Sequence, residues 1–325
     1  MEARPEHGHE DKSLDALHRA ALFCDQKIGW NRIAATLSFI LIAIAAVALY
    51  RILRTIGRDG VPYRAAAFAA FTSYSVGHNV GASVVTGGAV RYRVYSAWGL
   101  NAIEVTKICF VAGLTFWLGN AAVLGLGIAY APLAATAIDQ LPPWLNRAGA
   151  FAILILLVLY VAWVWRRPRV VGRQTWRVTL PGGPLTLLQI GIGIVDLGFC
   201  ALAMYMLVPD EPHIGFVTLA VIFVSATLLG FASHAPGGIG VFDAAMLVGL
   251  WQFDREDVLA GVLLFRLLYY VVPFTLSLLI LGLREVLIAL RGTPLPPVRT
   301  LPSLAPTDVA TVELPEQREP ERKIG

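Results

Sequence analysis

Two arginines that follow a glycine pair form the first group of residues with a pattern suited to chemistry. Gly87 and Gly88 precede Arg91 and Arg93 in the run at residues 78–95. A guanidinium group matches an anionic phosphate with two parallel donors, and glycine lets a ligand approach the backbone closely. We therefore predict that both guanidinium groups emerge from a flexible turn and bind an anionic headgroup. The alternative is that both are ordinary charges that anchor the chain at the cytoplasmic membrane face.

A second glycine-rich interruption, SHAPGGIGVFD, occupies residues 233–243. Pro236, Gly237, Gly238 and Gly240 precede an apolar run, which predicts a glycine loop that opens a half-length helix. Helix N-termini attract anions, so this motif is a second candidate for headgroup binding. The other interpretation is a simple connecting turn, because Pro-Gly-Gly is common turn chemistry.

Charged residues inside apolar segments form a third group. Asp196 stands in GIGIVDLGFCALAMY, where no polar neighbour accompanies it, and Arg266 stands in LLFRLLYYVVP. An acid at mid-membrane costs about 2.5–3.5 kcal/mol on insertion scales, so Asp196 needs a partner or a cavity. An Asp196–Arg266 ion pair and a functional role are both open, since buried charges are normally paired. Glu104 and Lys107 are predicted to lie near a membrane face.

Two histidines flank the glycine motifs and could support a site. His78 is followed by Asn79, and His234 precedes Asp243. A metal site between the histidines is disfavoured, because no third ligand with suitable spacing is present. A triad of Ser233, His234 and Asp243 is disfavoured as well, because adjacent serine and histidine side chains are poorly placed as nucleophile and base. We expect no metal, no other cofactor and no catalytic residue.

Composition assigns the chain to the membrane. Hydrophobic residues make up 57% of it, charged residues 15%, and the mean hydropathy is +0.66. Soluble domains have about 45–50% apolar and about 25% charged residues. The net charge of +4 is not gathered into a dense basic face, which argues against nucleic-acid binding. The three cysteines are widely spaced, so a disulfide framework is not indicated.

The apolar segments predict an all-α fold, a polytopic integral membrane helical bundle of about 6 to 8 spans. Two glycine-rich re-entrant or broken helices interrupt it, because irregular backbone at membrane depth survives only beside protein or a water-filled cavity. Pro273 makes the last segment either a kinked helix or two short ones. The predicted spans are residues 33–52, 101–130, 148–165, 185–207, 214–231 and 259–290.

Three regions are expected along the chain. Residues 1–32 form a charged segment with an amphipathic helix, residues 33–291 the transmembrane domain, and residues 292–325 a Pro-rich disordered tail. Five arginines and no acid at residues 166–177 predict a cytoplasmic loop, and the arginines near residue 290 place the C-terminus in the cytoplasm. The two glycine motifs lie about 150 residues apart, as in an inverted-repeat transporter with its site between the repeats.

Three stretches resemble a known family: residues 81–100, TFWLGN at residues 115–120, and the motif at residues 233–243. They are similar to the transmembrane region of the multiple peptide resistance factor family, the lysylphosphatidylglycerol synthases/flippases. Its bifunctional members carry a membrane domain that moves aminoacylated phosphatidylglycerol between leaflets and a soluble domain that transfers an aminoacyl group from tRNA. The resemblance covers residues 33–290 and includes only the first part. It implies a multi-pass protein of the bacterial cytoplasmic (inner) membrane.

The resemblance also implies a function. The leading hypothesis is flippase-like translocation of aminoacylated phosphatidylglycerol or a related anionic or isoprenoid lipid, with a membrane phospholipid as the bound partner. The alternative is a non-transporting scaffold or accessory protein that serves a separate lipid synthase. An aminoacyltransferase is disfavoured, because no domain remains to bind tRNA, so the chain is not expected to be an enzyme. No GxxxxGK[ST] loop is present, so transport would be energy-independent or ion-coupled.

Overall fold

The structure is a computed structural model that describes residues 61–81, 83–166, 169–173 and 176–290. The charged N-terminal segment, the predicted span at residues 33–52 and the Pro-rich tail lie outside the described residues. The first half of the described chain contains α1 (Tyr63–Val80), α2 (Ser83–Ser96), α3 (Ala102–Tyr130), α4 (Pro132–Asp139), α5 (Pro143–Trp165), β1 (Val170–Arg173) and β2 (Trp176–Thr179). The second half contains α6 (Gly183–Tyr205), α7 (Phe216–Ala232), a 3-10 turn (Pro236–Gly238), α8 (Val241–Gly249), α9 (Arg255–Arg266), a π-helical segment (Leu267–Val271) and α10 (Val272–Leu290).

Four helical stretches among the described residues are long and apolar enough to cross a membrane. They are α3, α5, α6 and the continuous stretch Arg255–Leu290. Shorter apolar helices occur at Phe216–Ala232 and Pro236–Gly249. The prediction of an all-α, polytopic membrane protein is therefore confirmed.

Glu104, one of the charges predicted to lie near a membrane face, caps the N-terminus of α3. The backbone N–H of Glu104 donates to Asn101 Oδ1, and the backbone N–H of Asn101 donates to Glu104 Oε2, each at 2.9 Å. This reciprocal capping box satisfies two backbone donors that a helix start leaves open. Glu104 thus fixes where the long apolar helix begins.

The last helical stretch passes through Pro273 without a break. The backbone N–H of Val272 donates to the carbonyl of Leu267, five residues earlier, which is the π-helical pattern. Proline has no N–H and crowds the preceding turn, and the wider π turn lies directly before it. Of the two predicted alternatives, the structure has one uninterrupted helical stretch rather than two separate helices.

The basic loop contains a short β-hairpin that the sequence reading did not predict. Val170 pairs with Thr179 and Gly172 with Arg177 in the antiparallel register. Val178 is buried against Val111 of α3, so the hairpin packs onto the helical bundle. Strand pairing satisfies backbone groups that a loop would leave to water.

Small residues and apolar side chains build the bundle. A Cβ on Gly119 of α3 would lie 2.8 Å from the Cα of Gly193 on α6, so the two backbones touch where these helices cross. The largest core contains Met204, Leu219 and Met246, from α6, α7 and α8. The bundle is therefore tight around α6, and it presents the apolar side chains of α5 outward, as a lipid-facing helix requires.

Candidate functional site

The first glycine motif forms a tight helical hairpin. Gly81, with φ of +83°, turns the chain between α1 and α2. Gly87 and Gly88 lie within α2 itself, and a Cβ on Gly87 would stand 3.0 Å from the carbonyl oxygen of Ser73. The prediction that these glycines form a flexible turn is therefore wrong. Gly87 omits a side chain where α2 crosses α1, which lets the two helices pack closely, and Gly88 faces Cys109 of α3.

The two arginines of this motif make contacts within the protein. Arg91 Nε donates to Ser73 Oγ at 2.8 Å, which joins α2 to α1. Arg93 forms a salt bridge with Glu285 of α10, and its side chain is 42% exposed. Arg284 also pairs with Glu285. Arg91 thus joins the two helices of the hairpin, Arg93 joins the hairpin to α10, and Arg93 keeps an exposed surface.

The second glycine motif folds as predicted, as a glycine loop that opens a half-length helix. Gly237, Gly238 and Gly240 have φ of +60°, +63° and +84°. This left-handed region suits glycine and strains other residues. The nine-residue α8 starts directly afterwards. The four motif residues therefore form the turn that leads into α8.

The two glycine motifs, distant in the chain, contact each other. A Cβ on Gly81 would lie 3.2 Å from Pro236 Cα and 3.3 Å from the carbonyl oxygen of His234. A Cβ on Gly237 would lie 3.9 Å from the carbonyl oxygen of His78. Because a side chain at Gly81 would crowd backbone atoms, the absence of a Cβ there permits this approach.

Arg266 binds the second motif through four hydrogen bonds. Its Nε and Nη2 atoms donate to the two carboxylate oxygens of Asp243 at 2.8 and 3.0 Å. Its Nη1 and Nη2 atoms donate to the carbonyls of Gly237 and Gly238 at 2.8 and 3.4 Å. The Asp243 carboxylate also accepts from the backbone N–H of Gly240 at 2.8 Å. One guanidinium group therefore holds the whole turn in place.

The ion pair proposed between Asp196 and Arg266 is absent from the described structure. Arg266, at the end of α9, pairs instead with Asp243 in the first turn of α8. The spacing of the two residues in the sequence gives no sign of this pairing, because it depends on how the glycine turn folds back. Asp196 lies partly exposed on α6 and forms no hydrogen bond or salt bridge with any residue that the structure describes.

A cavity of about 200 Å³ lies where the two motifs meet. Residues of α1, α2, α3, α7, the glycine turn, α8 and the π-helical segment line it. Arg266 contacts this wall, since it bonds Gly237 and its guanidinium lies 5.3 Å from the ring centre of Phe242 and 5.8 Å from that of Tyr270. The lining residues are Gly77, His78, Gly81, Val85, Phe116, Thr227, Gly230, Phe231, His234, Ala235, Gly237, Gly238, Phe242 and Tyr270.

The remaining predicted residues lie in three places. His78 and His234 both line the cavity. Asn79 Nδ2 donates to the carbonyl of Ser75 at 2.8 Å and to that of Tyr270 at 3.3 Å, which joins α1 to the π-helical segment. Lys107 lies on the first turns of α3 and is not among the residues that line the cavity.

Ser233, His234 and Asp243 each bond to a different group. Ser233 Oγ donates to the carbonyl of Gly230 at 2.6 Å, and Asp243 binds Arg266, so neither residue is paired with His234. His234 Nδ1 instead lies 2.8 Å from the carbonyl of Ala232. Among the described residues, no group of three or more His, Cys, Asp and Glu side chains is placed to hold a metal ion.

Sequence reasoning missed the polar residues that face inward from apolar helices. Ser73 receives Arg91, and Tyr270 lines the cavity beside Arg266. Tyr74 and Tyr269 join their hydroxyls at 3.0 Å between α1 and the π-helical segment. The available signal was the pair of adjacent tyrosines shortly before Pro273, where an apolar span would not need hydroxyl groups.

Known membrane proteins are similar to this chain. No protein-family model matches it. An uncharacterised protein of Synechocystis, slr0712, is 29% identical over 232 residues, which are 70% of this chain and 71% of that protein. The inner membrane protein YbhN of Escherichia coli is 29% identical over 202 residues, 60% of this chain and 62% of YbhN. A distant family relationship to these proteins holds.

The relationship extends to phosphatidylglycerol lysyltransferases. The enzyme of Staphylococcus aureus is 27% identical over 209 residues, 62% of this chain and 23% of the enzyme. That of Staphylococcus epidermidis is 41% identical over 70 residues, 21% of this chain and 8% of the enzyme. The chain thus spans less than two thirds of YbhN and under a quarter of the staphylococcal enzymes. The matched regions are the membrane part without the synthase domain.

Proposed function

We propose that this protein moves a phospholipid across the bacterial inner membrane, with the headgroup held in the cavity between the two glycine motifs. The observation that carries the proposal is the contact of these motifs around a cavity whose wall is bonded to Arg266. Transporters place their sites where broken helices from two parts of the chain meet near the bilayer midplane. The substrate would be aminoacylated phosphatidylglycerol or a related anionic or isoprenoid lipid.

The charge of Arg266 supports an anionic headgroup. Its hydrogen bonds within the described residues use four of the five guanidinium N–H groups. A phosphate that enters the cavity can take the remaining donor or compete with Asp243, because guanidinium binds carboxylate and phosphate by the same paired geometry. The side chains of Arg266 and Asp243 are 13% and 21% exposed, so little water screens the exchange.

The shape of the cavity wall supports a lipid rather than a small soluble anion. Phe116 and Phe231 form part of the lining, with ring centres 5.6 Å apart, and Val85 is 72% exposed at its edge. An apolar rim suits acyl chains that remain in the bilayer while the headgroup occupies the cavity. Arg93, exposed at the other end of α2, is proposed as a headgroup contact at the membrane face.

The similarity to the staphylococcal enzymes also supports a function that involves a phospholipid. The staphylococcal enzymes are named for their action on phosphatidylglycerol, and this chain is similar to their membrane part. We therefore propose a transport role without aminoacyl transfer, and a separate synthase as the source of any aminoacylated lipid. The basic segment at residues 166–177 supports a cytoplasmic position for its end of the bundle.

Lipid translocation in vesicles tests this function. The purified full chain is placed in vesicles of phosphatidylcholine and phosphatidylglycerol with a trace of fluorescent phosphatidylglycerol, and dithionite then bleaches the outer leaflet. We expect the protein to make the inner-leaflet label accessible faster than in protein-free vesicles, and equal rates would refute the function. The variant Arg91→Ala/Arg93→Ala should lower the rate, since it loosens the hairpin and removes the exposed contact.

A truncated variant separates this function from a scaffold role. A scaffold that docks a synthase through its Pro-rich tail should lose its function when residues 293–325 are removed, whereas a translocase should keep its rate in vesicles. Loss of translocation in the truncated chain would count against the proposed function.

A further inference from the structure

Asp196 is an acidic residue in the middle of an apolar helix, and the proposed headgroup site does not use it. It lies in the middle of α6, in a stretch apolar enough to span the membrane. Arg266, the cation expected to neutralise it, is engaged by Asp243. A carboxylate at membrane depth without a cation is costly, and intramembrane acids of this kind often belong to proton pathways.

The groups around Asp196 are polar and neutral. Cys200 follows one helical turn later on the same face of α6. Its thiol donates to the hydroxyl of Tyr269 at 3.0 Å, and that hydroxyl lies 3.0 Å from the hydroxyl of Tyr74. Cys200, Tyr269 and Tyr74 form a chain of hydrogen-bonded side chains, here called the file, that begins one helical turn from Asp196.

The other end of this file lies next to the cavity. The rings of Tyr74 and His78 lie with their centres 4.0 Å apart, and His78 Nδ1 lies 3.2 Å from the backbone carbonyl of Tyr74. His78 is part of the cavity lining. Tyr74, the last side chain of the file, therefore packs against a residue that lines the cavity.

No described charge offsets Asp196 from the neighbouring helices. α7 has no titratable side chain, and α5 contributes Arg147, near its N-terminal end, and Tyr160, whose buried hydroxyl has no partner among the described residues. The ionisable groups of α3 and α9 form no hydrogen bond or salt bridge with Asp196 among the described residues. They are Glu104, Lys107, Cys109 and Tyr130 on α3, and Arg255, Glu256, Asp257 and Arg266 on α9.

We propose that Asp196 is a proton-binding site, supplied from the cavity along Tyr74, Tyr269 and Cys200, and that its proton load drives the transport step. A proton from cavity water binds the carboxylate and gives the neutral acid, while each hydroxyl or thiol that passes a proton on receives another. The neutral acid removes a charge from the membrane interior, so binding and release of the proton favour different arrangements of α6. This inference rests on the proposed translocation and supplies its coupling ion.

Infrared difference spectroscopy of the full chain in phosphatidylcholine–phosphatidylglycerol vesicles tests proton binding directly. Between about pH 5 and about pH 9, we expect a protonated-carboxyl band that disappears in Asp196→Asn and shifts in Asp196→Glu. Asp257→Asn, an exposed acid at the start of α9, is the matched control and should keep the band. A band that persists unchanged in Asp196→Asn would overturn the proposal, and the glutamate variant guards against a mere folding failure.

The same vesicles test coupling. We expect the wild-type translocation rate to follow the protonated fraction of Asp196, about tenfold per pH unit where the acid is mostly charged, and Asp196→Asn to be independent of pH. A pH dependence unchanged in that variant would refute coupling. Absence of wild-type translocation at every pH would instead refute the proposed function, while the infrared titration still decides on the proton site.

A phenylalanine variant tests the file. Tyr269→Phe removes the hydroxyl between Cys200 and Tyr74, and should slow the appearance of the carboxyl band after a pH jump without removing the band. Tyr160→Phe deletes one buried hydroxyl outside the file and should leave the rate unchanged. Equal rates in the two variants would exclude the proposed route.

Discussion

Arg266 and Asp243 form a paired ion bridge, with guanidinium Nε and Nη2 atoms on the two carboxylate oxygens at 2.8 and 3.0 Å. The bridge connects the last turn of α9 to the first turn of α8. The same guanidinium bonds the carbonyl of Gly237, so the pair also fixes one wall of the cavity. The stability of the glycine turn and the shape of the proposed site therefore depend on one contact.

Removing one partner of this pair should destabilise the protein more than removing an exposed pair. Asp243→Asn leaves a mostly buried guanidinium without its counter-ion, at a cost of about 3 kcal/mol, the low end for buried pairs because both side chains retain some exposure. Arg93→Ala breaks the exposed pair with Glu285 and should cost less than about 1 kcal/mol. Thermal unfolding in detergent measures both, and equal losses would contradict this ranking.

Gly81→Ala should separate the two motifs. The new Cβ would meet the Pro236 backbone at 3.2 Å, and the positive φ adds a strain of about 1–2 kcal/mol. Gly99→Ala is the matched control, since Gly99 has φ of +77° with no atom within 4 Å of a new Cβ. We expect both variants to lose similar backbone stability, but only Gly81→Ala to lose translocation and bound lipid. Equal translocation by the two would show that the contact between the motifs is not needed.

Thr227→Phe should fill the cavity. Thr227 lines it and makes only the hydrogen bond to the carbonyl four residues earlier, on Phe223. Thr275 on the exposed face of α10 makes the same kind of bond to Val271, so Thr275→Phe is the control. Native mass spectrometry should show less phosphatidylglycerol retained by the first variant and wild-type retention by the second. Full retention by Thr227→Phe would place the lipid elsewhere.

Local patterns in the sequence were enough for the long helices and for the second motif. The apolar runs of α5 and α6 were placed to within a few residues, because hydropathy over about twenty residues is a strong signal. The turn at Gly237 and Gly238 followed from residues that alone tolerate its backbone angles. Both inferences needed only information within a single segment.

Contacts between segments were the part that the sequence could not supply. Gly87 looks like a turn residue in isolation, and its packing role appears only when α1 lies against it. The sequence left an Asp196–Arg266 pair open, and the fold instead gives Arg266 the acid that the glycine turn brings closer, Asp243. Small residues in apolar segments signal either a bend or a crossing, and only the neighbouring helix distinguishes them.

The crossing of α3 and α6 limits how a two-chain lipid could travel. With Gly119 and Gly193 in backbone contact, the seam between these helices is closed to an acyl chain. The exposed Val85 of α2, at the cavity edge, offers an apolar path for the hydrocarbon tails away from this crossing. In the proposed function, the headgroup in the cavity and its tails in the bilayer would then separate on the Val85 side of the described bundle.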